Sequence, residues 1–452
     1  MKSEQITTRA HWATRIGFLL AAAGSAIGLG NIWKFPYITG VNGGGAFVLI
    51  YLVCIAAVGI PIFVAELFIG QRSQRNAVAA FDVVHRPGSP WRLVGLLGIV
   101  SAFLILSFYS VVGGWILDFL FKSIGNQFAG HSDQEIKGFL GSLFAAPLLQ
   151  LFWHAVFMGI TVGIVLKGLN AGIERWNRIL MPSLFLLLLF LLIRVLFLPG
   201  FGQAIEFLFS WETSRLTAKG VLEAVGHSFF TLSLGMGAMI TYGSYLQNRE
   251  QLLRTALSVA LLDTLIALVA GIVIFSIVFT FGLQPGAGPT LMFETLPVLF
   301  TKLSGSYLIS IAFFLLVAFA ALTSAISLLE VVVAYFVENR GVSRKNAALV
   351  LGLVIYALGV LSALSSNVLS GVKVTGLTFF DLFDKLTSSV FLPFGGMVIS
   401  LFFGWVLGPS ACTAVMGHGP KGKVLATGLL WTTRIIAPAG VLIMLINGLR
   451  EW

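Results

Sequence analysis

The sequence predicts an all-α polytopic membrane protein, because it combines very low charge with long apolar segments. Of the 452 residues, 58% are hydrophobic and only 10% are charged, and the mean hydropathy is +0.97. A soluble globular protein carries roughly 25% charged residues. Apolar runs such as 183–198 and 264–282 approach the ~20 residues that a helix needs to cross a bilayer. We therefore expect a protein embedded in lipid along most of its length.

Apolar windows separated by charged or Gly/Pro-rich breaks predict eleven transmembrane helices. They begin near residues 14, 44, 92, 147, 178, 220, 252, 306, 346, 376 and 424. Spans one to five fill residues 1–200, spans six to ten fill residues 201–410, and residues 411–452 hold the eleventh. No connection is long enough for a soluble domain, so function is expected within the bundle.

The basic residues predict the orientation of the chain. Lys and Arg number 28 against 18 Asp and Glu, and they concentrate in alternate connections. The positive-inside rule places those connections and the amino terminus in the cytoplasm, and an odd span count places Trp452 outside. This explains the excess of positive charge without nucleic-acid binding. Cys54 and Cys412 lie in apolar surroundings and indicate neither a disulfide framework nor a zinc site.

Two predicted spans are interrupted by glycine at their middles. The first span contains GSAIGLGN at 24–31, and the sixth contains TLSLGMG at 231–237. Small residues in a membrane helix often serve only close helix packing. A broken helix, however, frees backbone groups that hydrocarbon cannot satisfy, so it persists where it lines a polar cavity or binds ions. Breaks at matching positions of two five-span sets point to a transporter binding site.

Several segments closely resemble the neurotransmitter:sodium symporter family, and its bacterial amino-acid members in particular. They are HWATR at 11–15, GSAIGLGNIWKFPY at 24–37, NGGGAF at 42–47, FFTLSLGMGAMITYGSY at 229–245 and ALTSAIS at 321–327. The resemblance implies a LeuT-like fold, a five-plus-five inverted repeat with broken helices 1 and 6. It also implies sodium-coupled uptake of amino acids by alternating access in the bacterial cell membrane. Many members have a twelfth span, so the oligomeric state is left open.

The resemblance implies two sodium sites built from backbone and side-chain oxygens, which are hard ligands. The first would use the substrate carboxylate with Ala26, Asn31, Thr231 and Asp263. The second would use the carbonyl groups of Gly24, Ile27 and Ala320 with the hydroxyl groups of Thr323 and Ser324.

Asp263 is the most informative acidic residue in the chain. It lies about eleven residues into its span, which at 1.5 Å per residue is about 16 Å, near the midplane. A carboxylate at this depth needs a cation, and a functional role is its default interpretation, although a protonated structural aspartate is the alternative. Leucine-transporting relatives carry an amide at this position. We hypothesise that Asp263 supplies the negative charge that chloride supplies elsewhere in the family, so that chloride is not required.

The resemblance also implies the substrate pocket. Amides near Gly28 and the Tyr109 hydroxyl suit a carboxylate, and carbonyl groups in the two breaks suit an ammonium. The implied ligands are Ser25, Ala26, Gly28, Ile105, Tyr109, Phe230, Thr231, Ser233, Met236, Ser324 and Leu328. No charged side chain is among them, which favours neutral hydrophobic L-amino acids. Met236 is flexible, so tryptophan, phenylalanine, tyrosine, leucine, isoleucine and valine are all candidates.

Two ion pairs are implied as gates. Lys34 would pair with Asp384 on the outer side, less firmly than the arginine usual in the family and through water. Arg9 would pair with Glu338 on the inner side, with Trp12 and Tyr245 nearby. Each could instead be an ordinary charge at the membrane interface. In span five, Pro182 indicates either a helix that unwinds to hydrate the second sodium or simple tolerance of proline. Glu330 is also predicted within the membrane, with no role assigned.

Other function classes are less consistent with the sequence. A channel would require rings of pore-lining residues or a filter, and none is visible. An enzyme would require a catalytic constellation, yet the six histidines show no metal-ligating spacing and no nucleotide motif is present. A sensor that binds without transporting remains an alternative.

Overall fold

The computed structural model describes residues 10–211, 216–247, 251–285 and 289–450. Within these ranges the chain is all helical, and its one β-pairing is an isolated bridge between Val374 and Leu377. The predicted all-α membrane fold is confirmed.

Nine helices of the described chain are long and apolar enough to cross a membrane. We number them as spans 2–5 and 7–11: Gly45–Ser73, Arg92–Ile124, Pro147–Val165, Leu169–Val195, Leu252–Thr280, Ser306–Arg340, Arg344–Leu364, Phe379–Met416 and Pro420–Arg450. Span 1 is a pair, Arg15–Ala26 and Gly30–Val41, bent by 49°. Span 6 consists of Ala218–Thr231 and the short helix Ala238–Gly243. The count of eleven transmembrane helices stays a prediction.

The break in span 1 begins after Ala26. Ile27 is extended with ψ 98°, and the helix resumes at Gly30 with a π-helical turn that ends at Lys34. Span 8 approaches this break closely: a Cβ on Gly28 would lie 2.6 Å from the Ser324 Oγ, so a larger residue would displace that hydroxyl. The break therefore brings the backbone of span 1 directly against span 8.

The break in span 6 is formed by three residues with positive φ. These are Ser233 at 54°, Gly235 at 79° and Gly237 at 74°, a backbone region that favours glycine. The Gly235 N–H donates to the Oε1 of Glu66 in span 2, at 2.7 Å. Glu66 is fully buried. A carboxylate from a neighbouring span thus satisfies a backbone donor that hydrocarbon would leave unpaired.

Short helices and an aromatic cluster cover the end of the bundle that the positive-inside rule places outside. The short helices are Asp133–Phe144, Phe201–Phe209, Pro289–Met292 and Thr295–Thr301. The ring centroid of Phe293 lies 5.0 Å from that of Phe119, 6.2 Å from Trp115 and 6.5 Å from Trp33. These contacts tie the segment before span 8 to spans 1 and 3.

Gly235→Ala should destabilise the protein. A Cβ at this position would lie 2.2 Å from the Leu392 carbonyl oxygen, and the positive φ adds strain of about 1–3 kcal/mol. We expect a lower apparent melting temperature in detergent. Gly428→Ala in span 11 is the matched control, because a Cβ there meets nothing within 4 Å. Equal melting temperatures for the two variants would show that the span 6 break is not specified by this contact.

Candidate functional site

The two helix breaks and spans 3 and 8 together line one cavity. All eleven residues predicted for the substrate pocket line it. They are Ser25, Ala26, Gly28, Ile105, Tyr109, Phe230, Thr231, Ser233, Met236, Ser324 and Leu328. Three further residues, Leu29, Gly30 and Ser327, complete the lining and had no predicted role. The glycine-rich interruption that contains Gly30 was visible in the sequence. Whether Gly30 lines the cavity, however, depends on how span 1 bends at the break.

The cavity lining divides into an apolar part and a polar part. Ile105, Met236 and Leu328 are buried apolar residues. Against them lies the Tyr109 hydroxyl, which is buried and has no hydrogen-bond partner among the described residues. It is near the span 1 break, since a Cβ on Gly28 would lie 3.2 Å from it. The lining includes no Asp, Glu, Lys, Arg or His. The cavity can therefore accept a neutral apolar group beside a hydrogen-bonding polar group.

Asp263 in span 7 joins the two breaks. Its carboxylate accepts hydrogen bonds from the Asn31 amide at 2.7 Å, from the Thr231 hydroxyl at 2.9 Å and from the Tyr51 hydroxyl at 3.3 Å. It is fully buried, and no basic side chain in the described ranges forms an ion pair with it. The Asn31 amide oxygen also accepts the Gly28 N–H at 3.0 Å. Three of the residues predicted for the first sodium thus share one hydrogen-bonded cluster.

The residues predicted for the second sodium lie where span 8 meets span 1. The Ser324 hydroxyl approaches the Gly24 carbonyl at 3.4 Å and the Ser25 carbonyl at 3.3 Å. The Thr323 hydroxyl donates to the Ala320 carbonyl at 3.0 Å. Ile27, at the end of the first half-helix, completes the predicted set. These groups are neutral oxygens, which suit a hard monovalent cation better than a transition metal.

The described residues contain no group of three or more His, Cys, Asp or Glu that could hold a metal ion.

The two residues of the predicted outer gate are not in direct contact. Among the described residues no ion pair joins Lys34 and Asp384. The Lys34 ammonium lies 4.6 Å from the centre of the Phe230 ring, which in turn lines the cavity. A cation over an aromatic face is itself stabilised. Lys34 therefore contacts the cavity wall in this structure, and its pairing with Asp384 through water stays a prediction.

Two of the residues predicted for the inner gate, Trp12 and Tyr245, lie close together. The Trp12 indole donates to the Tyr242 carbonyl at 3.0 Å, and its ring lies 6.2 Å from that of Tyr245. Glu338 accepts hydrogen bonds from the backbone and the side-chain amide of Asn76, at 2.8 and 2.9 Å. Arg9, predicted to pair with Glu338, lies outside the described residues.

Two further buried acids, Glu330 and Glu174, had no predicted role. Glu330 accepts the Tyr245 hydroxyl at 2.7 Å and forms an ion pair with Arg344 at the start of span 9. Glu174 in span 5 accepts the Ala13 N–H at 2.8 Å and the Thr14 hydroxyl at 2.9 Å. Sequence reasoning found no partner for either, because these contacts join spans that are distant in the sequence.

Comparison with known proteins identifies the same family along nearly the whole chain. The family model described as the sodium:neurotransmitter symporter family matches residues 9–135 and 146–450. The sodium-dependent transporter YhdH of Bacillus subtilis (strain 168) is 41% identical over 437 residues, covering 96% of this chain and 97% of that protein. The rat sodium-dependent neutral amino acid transporter B(0)AT3 is 32% identical over 297 residues, covering 60% of this chain and 48% of that protein.

A solved structure is also similar along the full length. The crystal structure of MhsT in complex with L-phenylalanine is 48% identical, with a TM-score of 0.90. The match covers 97% of this chain and 100% of that one. The overall fold is therefore shared with a structure that contains an amino acid.

Proposed function

Because the chain belongs to the sodium:neurotransmitter symporter family, we propose that it takes up neutral hydrophobic L-amino acids by alternating access. The chain is a multi-pass membrane protein and a sodium-coupled amino-acid transporter, not an enzyme. The proposal concerns which amino acids it carries, how many ions it uses, and which residues hold them.

The cavity between the helix breaks is the observation that carries the proposal. Tyr109 offers an unpaired hydroxyl. The backbone amides where the second half of span 1 begins favour a carboxylate. The carbonyl groups of Phe230, Thr231 and Ser233 at the other break suit an ammonium. The remaining lining is apolar, and a charged side chain would be desolvated there without a partner. Phenylalanine, tryptophan, tyrosine, leucine, isoleucine and valine meet these requirements.

Two sodium ions are proposed for the two oxygen clusters. Asp263 is buried with only neutral donors, so a cation beside it would offset the cost of its charge. The substrate carboxylate would complete this first site, which couples amino-acid binding to sodium binding. The second ion would lie among the oxygens of Gly24, Ile27, Ala320, Thr323 and Ser324. With the charge of Asp263 present, chloride is not needed.

Alternating access requires that the closures on the two sides open in turn. We assign the outer closure to Phe230 and Lys34, with Asp384 as a partner in other states, and the inner closure to Trp12, Tyr245, Glu338 and Arg9. The proposed movement takes place between the two repeats, residues 1–200 and residues 201–410. Residues 411–452 lie outside the repeats. The proposed location is a bacterial plasma membrane, with the amino terminus in the cytoplasm and the carboxyl terminus outside.

Purified protein in proteoliposomes should accumulate labelled L-phenylalanine only when an inward sodium gradient is imposed. Unlabelled leucine, valine and tryptophan should each reduce this uptake, whereas lysine and glutamate should not. The measurement is initial uptake rate with sodium outside, compared with potassium outside and with empty liposomes. Equal uptake in potassium would contradict sodium coupling, and binding without accumulation would indicate a sensor.

Asp263→Asn should make transport depend on chloride. The substitution keeps the shape of the side chain but removes the charge that balances the cations, so an external anion is needed. We expect native uptake to be unchanged when gluconate replaces chloride, and uptake by the variant to fall at least about ten-fold, or ~1.4 kcal/mol. Asp381→Asn is the control, because it makes the same substitution at an exposed aspartate. Native uptake that collapses in gluconate would refute the assignment.

Tyr109→Phe should weaken substrate binding and leave sodium affinity nearly unchanged. It removes a hydroxyl that would donate to the substrate carboxylate, an interaction of roughly 1.5–3 kcal/mol. We expect the half-saturating concentration of phenylalanine to rise about ten-fold or more. Tyr356→Phe is the matched control, because its hydroxyl donates to the Leu151 carbonyl at 3.3 Å and is absent from the cavity lining. An unchanged half-saturating concentration would remove Tyr109 from the proposed site.

A further inference from the structure

An arginine on the outer surface of spans 10 and 11 has no acidic partner. Arg434 lies near the middle of span 11, Pro420–Arg450, and is half-buried. Apolar side chains beside it on the same span are exposed to lipid, 54% for Trp431, 49% for Ile435 and 48% for Ile436. Within the described ranges no ion pair includes Arg434. A charged side chain among lipid-facing residues needs a counter-ion, and the chain that the structure describes supplies none.

Spans 10 and 11 hold the guanidinium from one side. Both have a π-helical turn at this point, Phe402–Leu407 in span 10 and Thr432–Ile436 in span 11. The Arg434 Nε–H donates to the Gly404 carbonyl at 2.8 Å, and the guanidinium carbon lies 4.7 Å from the centre of the Trp405 ring. The Trp405 indole N–H in turn donates to the Arg434 carbonyl at 3.3 Å. These contacts orient the guanidinium and use one of its five N–H groups.

The other four N–H groups, on the two Nη atoms, border open space. They have no hydrogen-bond acceptor among the described residues. A Cβ built on Gly408 would lie 3.9 Å from the Arg434 Nη2 and would meet no other atom of a neighbouring segment within 4 Å. Gly408 has a φ of 63° and turns the chain at the end of the π-helical turn of span 10. The fold thus leaves a gap beside the Nη atoms that an acceptor from outside the chain can fill.

The contacts of span 10 place this gap toward the inner side of the membrane. Phe402, in the same π-helical turn, packs against Phe81 and Trp91, with ring centroids 5.0 and 5.1 Å away. Both belong to the connection between spans 2 and 3, which is one of the basic connections predicted to be cytoplasmic. Exposed tryptophans such as Trp405 and Trp431 are typical of the level where hydrocarbon meets the headgroups. The anions that a bilayer offers at this level are the phosphate groups of the inner leaflet.

We propose that Arg434 binds the phosphate group of an anionic phospholipid of the inner leaflet, in the gap beside Gly408. The Nη groups donate to two phosphate oxygens, a geometry that suits the planar guanidinium. The acyl chains lie along the exposed apolar surface of Ile435 and Ile436. A headgroup with net negative charge is favoured over a zwitterionic one, because Arg434 has no acid beside it in the described chain to neutralise it. This site is independent of the proposed sodium and substrate sites.

The test is native mass spectrometry of the purified, full-length protein titrated with palmitoyl-oleoyl phosphatidylglycerol. The first lipid should bind the native protein at least about five-fold more tightly than phosphatidylcholine with the same chains. Arg434→Gln should lose this preference, because glutamine can still donate to the Gly404 carbonyl but carries no charge. Arg178→Gln, at an exposed arginine of span 5, is the matched control, and its dissociation constant should stay within about two-fold of the native value.

Equal affinities for the two lipids in the native protein would overturn the proposal, and this comparison needs no variant. An equal loss of affinity in Arg178→Gln would also overturn it, because the effect would then be general attraction to the basic inner face. Displacement of the lipid by inorganic phosphate would overturn it in favour of a site for a free anion. A shift from dimer to monomer in Arg434→Gln, with unchanged lipid affinity, would overturn it in favour of a contact between two copies of the chain.

Discussion

A helix that is broken inside hydrocarbon must find a partner for every backbone group that the break frees, and the architecture of this protein follows from that constraint. The break in span 6 is held by Glu66, a buried acid of span 2, through the Gly235 N–H. The break in span 1 is held by Asn31 through the Gly28 N–H, and Asn31 is in turn held by Asp263. Each break is therefore fixed by a side chain that reaches it within the membrane.

The same constraint explains why sodium and the amino acid would bind at the same place, beside the two helix breaks. Carbonyl groups and amides that are not used within a helix are the ligands that sodium, carboxylate and ammonium require. Asp263 lies between the two breaks and accepts hydrogen bonds from a residue of each, Asn31 and Thr231. A cation beside Asp263 would change the electrostatics of both breaks at once. Coupling between ion and substrate then needs no long pathway, because the two ligands would contact the same atoms.

The sequence predicted the parts of this arrangement that depend on local pattern. The apolar windows predicted the all-helical membrane fold, and the paired glycine interruptions predicted the breaks. The resemblance to a known family named residues that the structure brings to one cavity, such as Ile105, Tyr109 and Met236. The spacing of Ile105 and Tyr109, four residues apart, already placed them on one helix face.

Contacts between distant segments could not be predicted in the same way. The contact of the Lys34 ammonium with the Phe230 ring had no signal in the sequence, and the pairing of Lys34 with Asp384 through water stays a prediction. Glu330 meets Tyr245 and Arg344, and Glu174 meets Ala13 and Thr14, across spans whose relative placement no local signal encodes.

The most direct measurement of the central claim is a high-resolution experimental structure of the protein with sodium and L-phenylalanine. We predict density for the amino acid in the cavity, its carboxylate near the Tyr109 hydroxyl, and a cation in contact with Asp263, Thr231 and that carboxylate. Amino-acid density elsewhere, or an Asp263 carboxylate with no cation beside it when substrate is bound, would contradict the account.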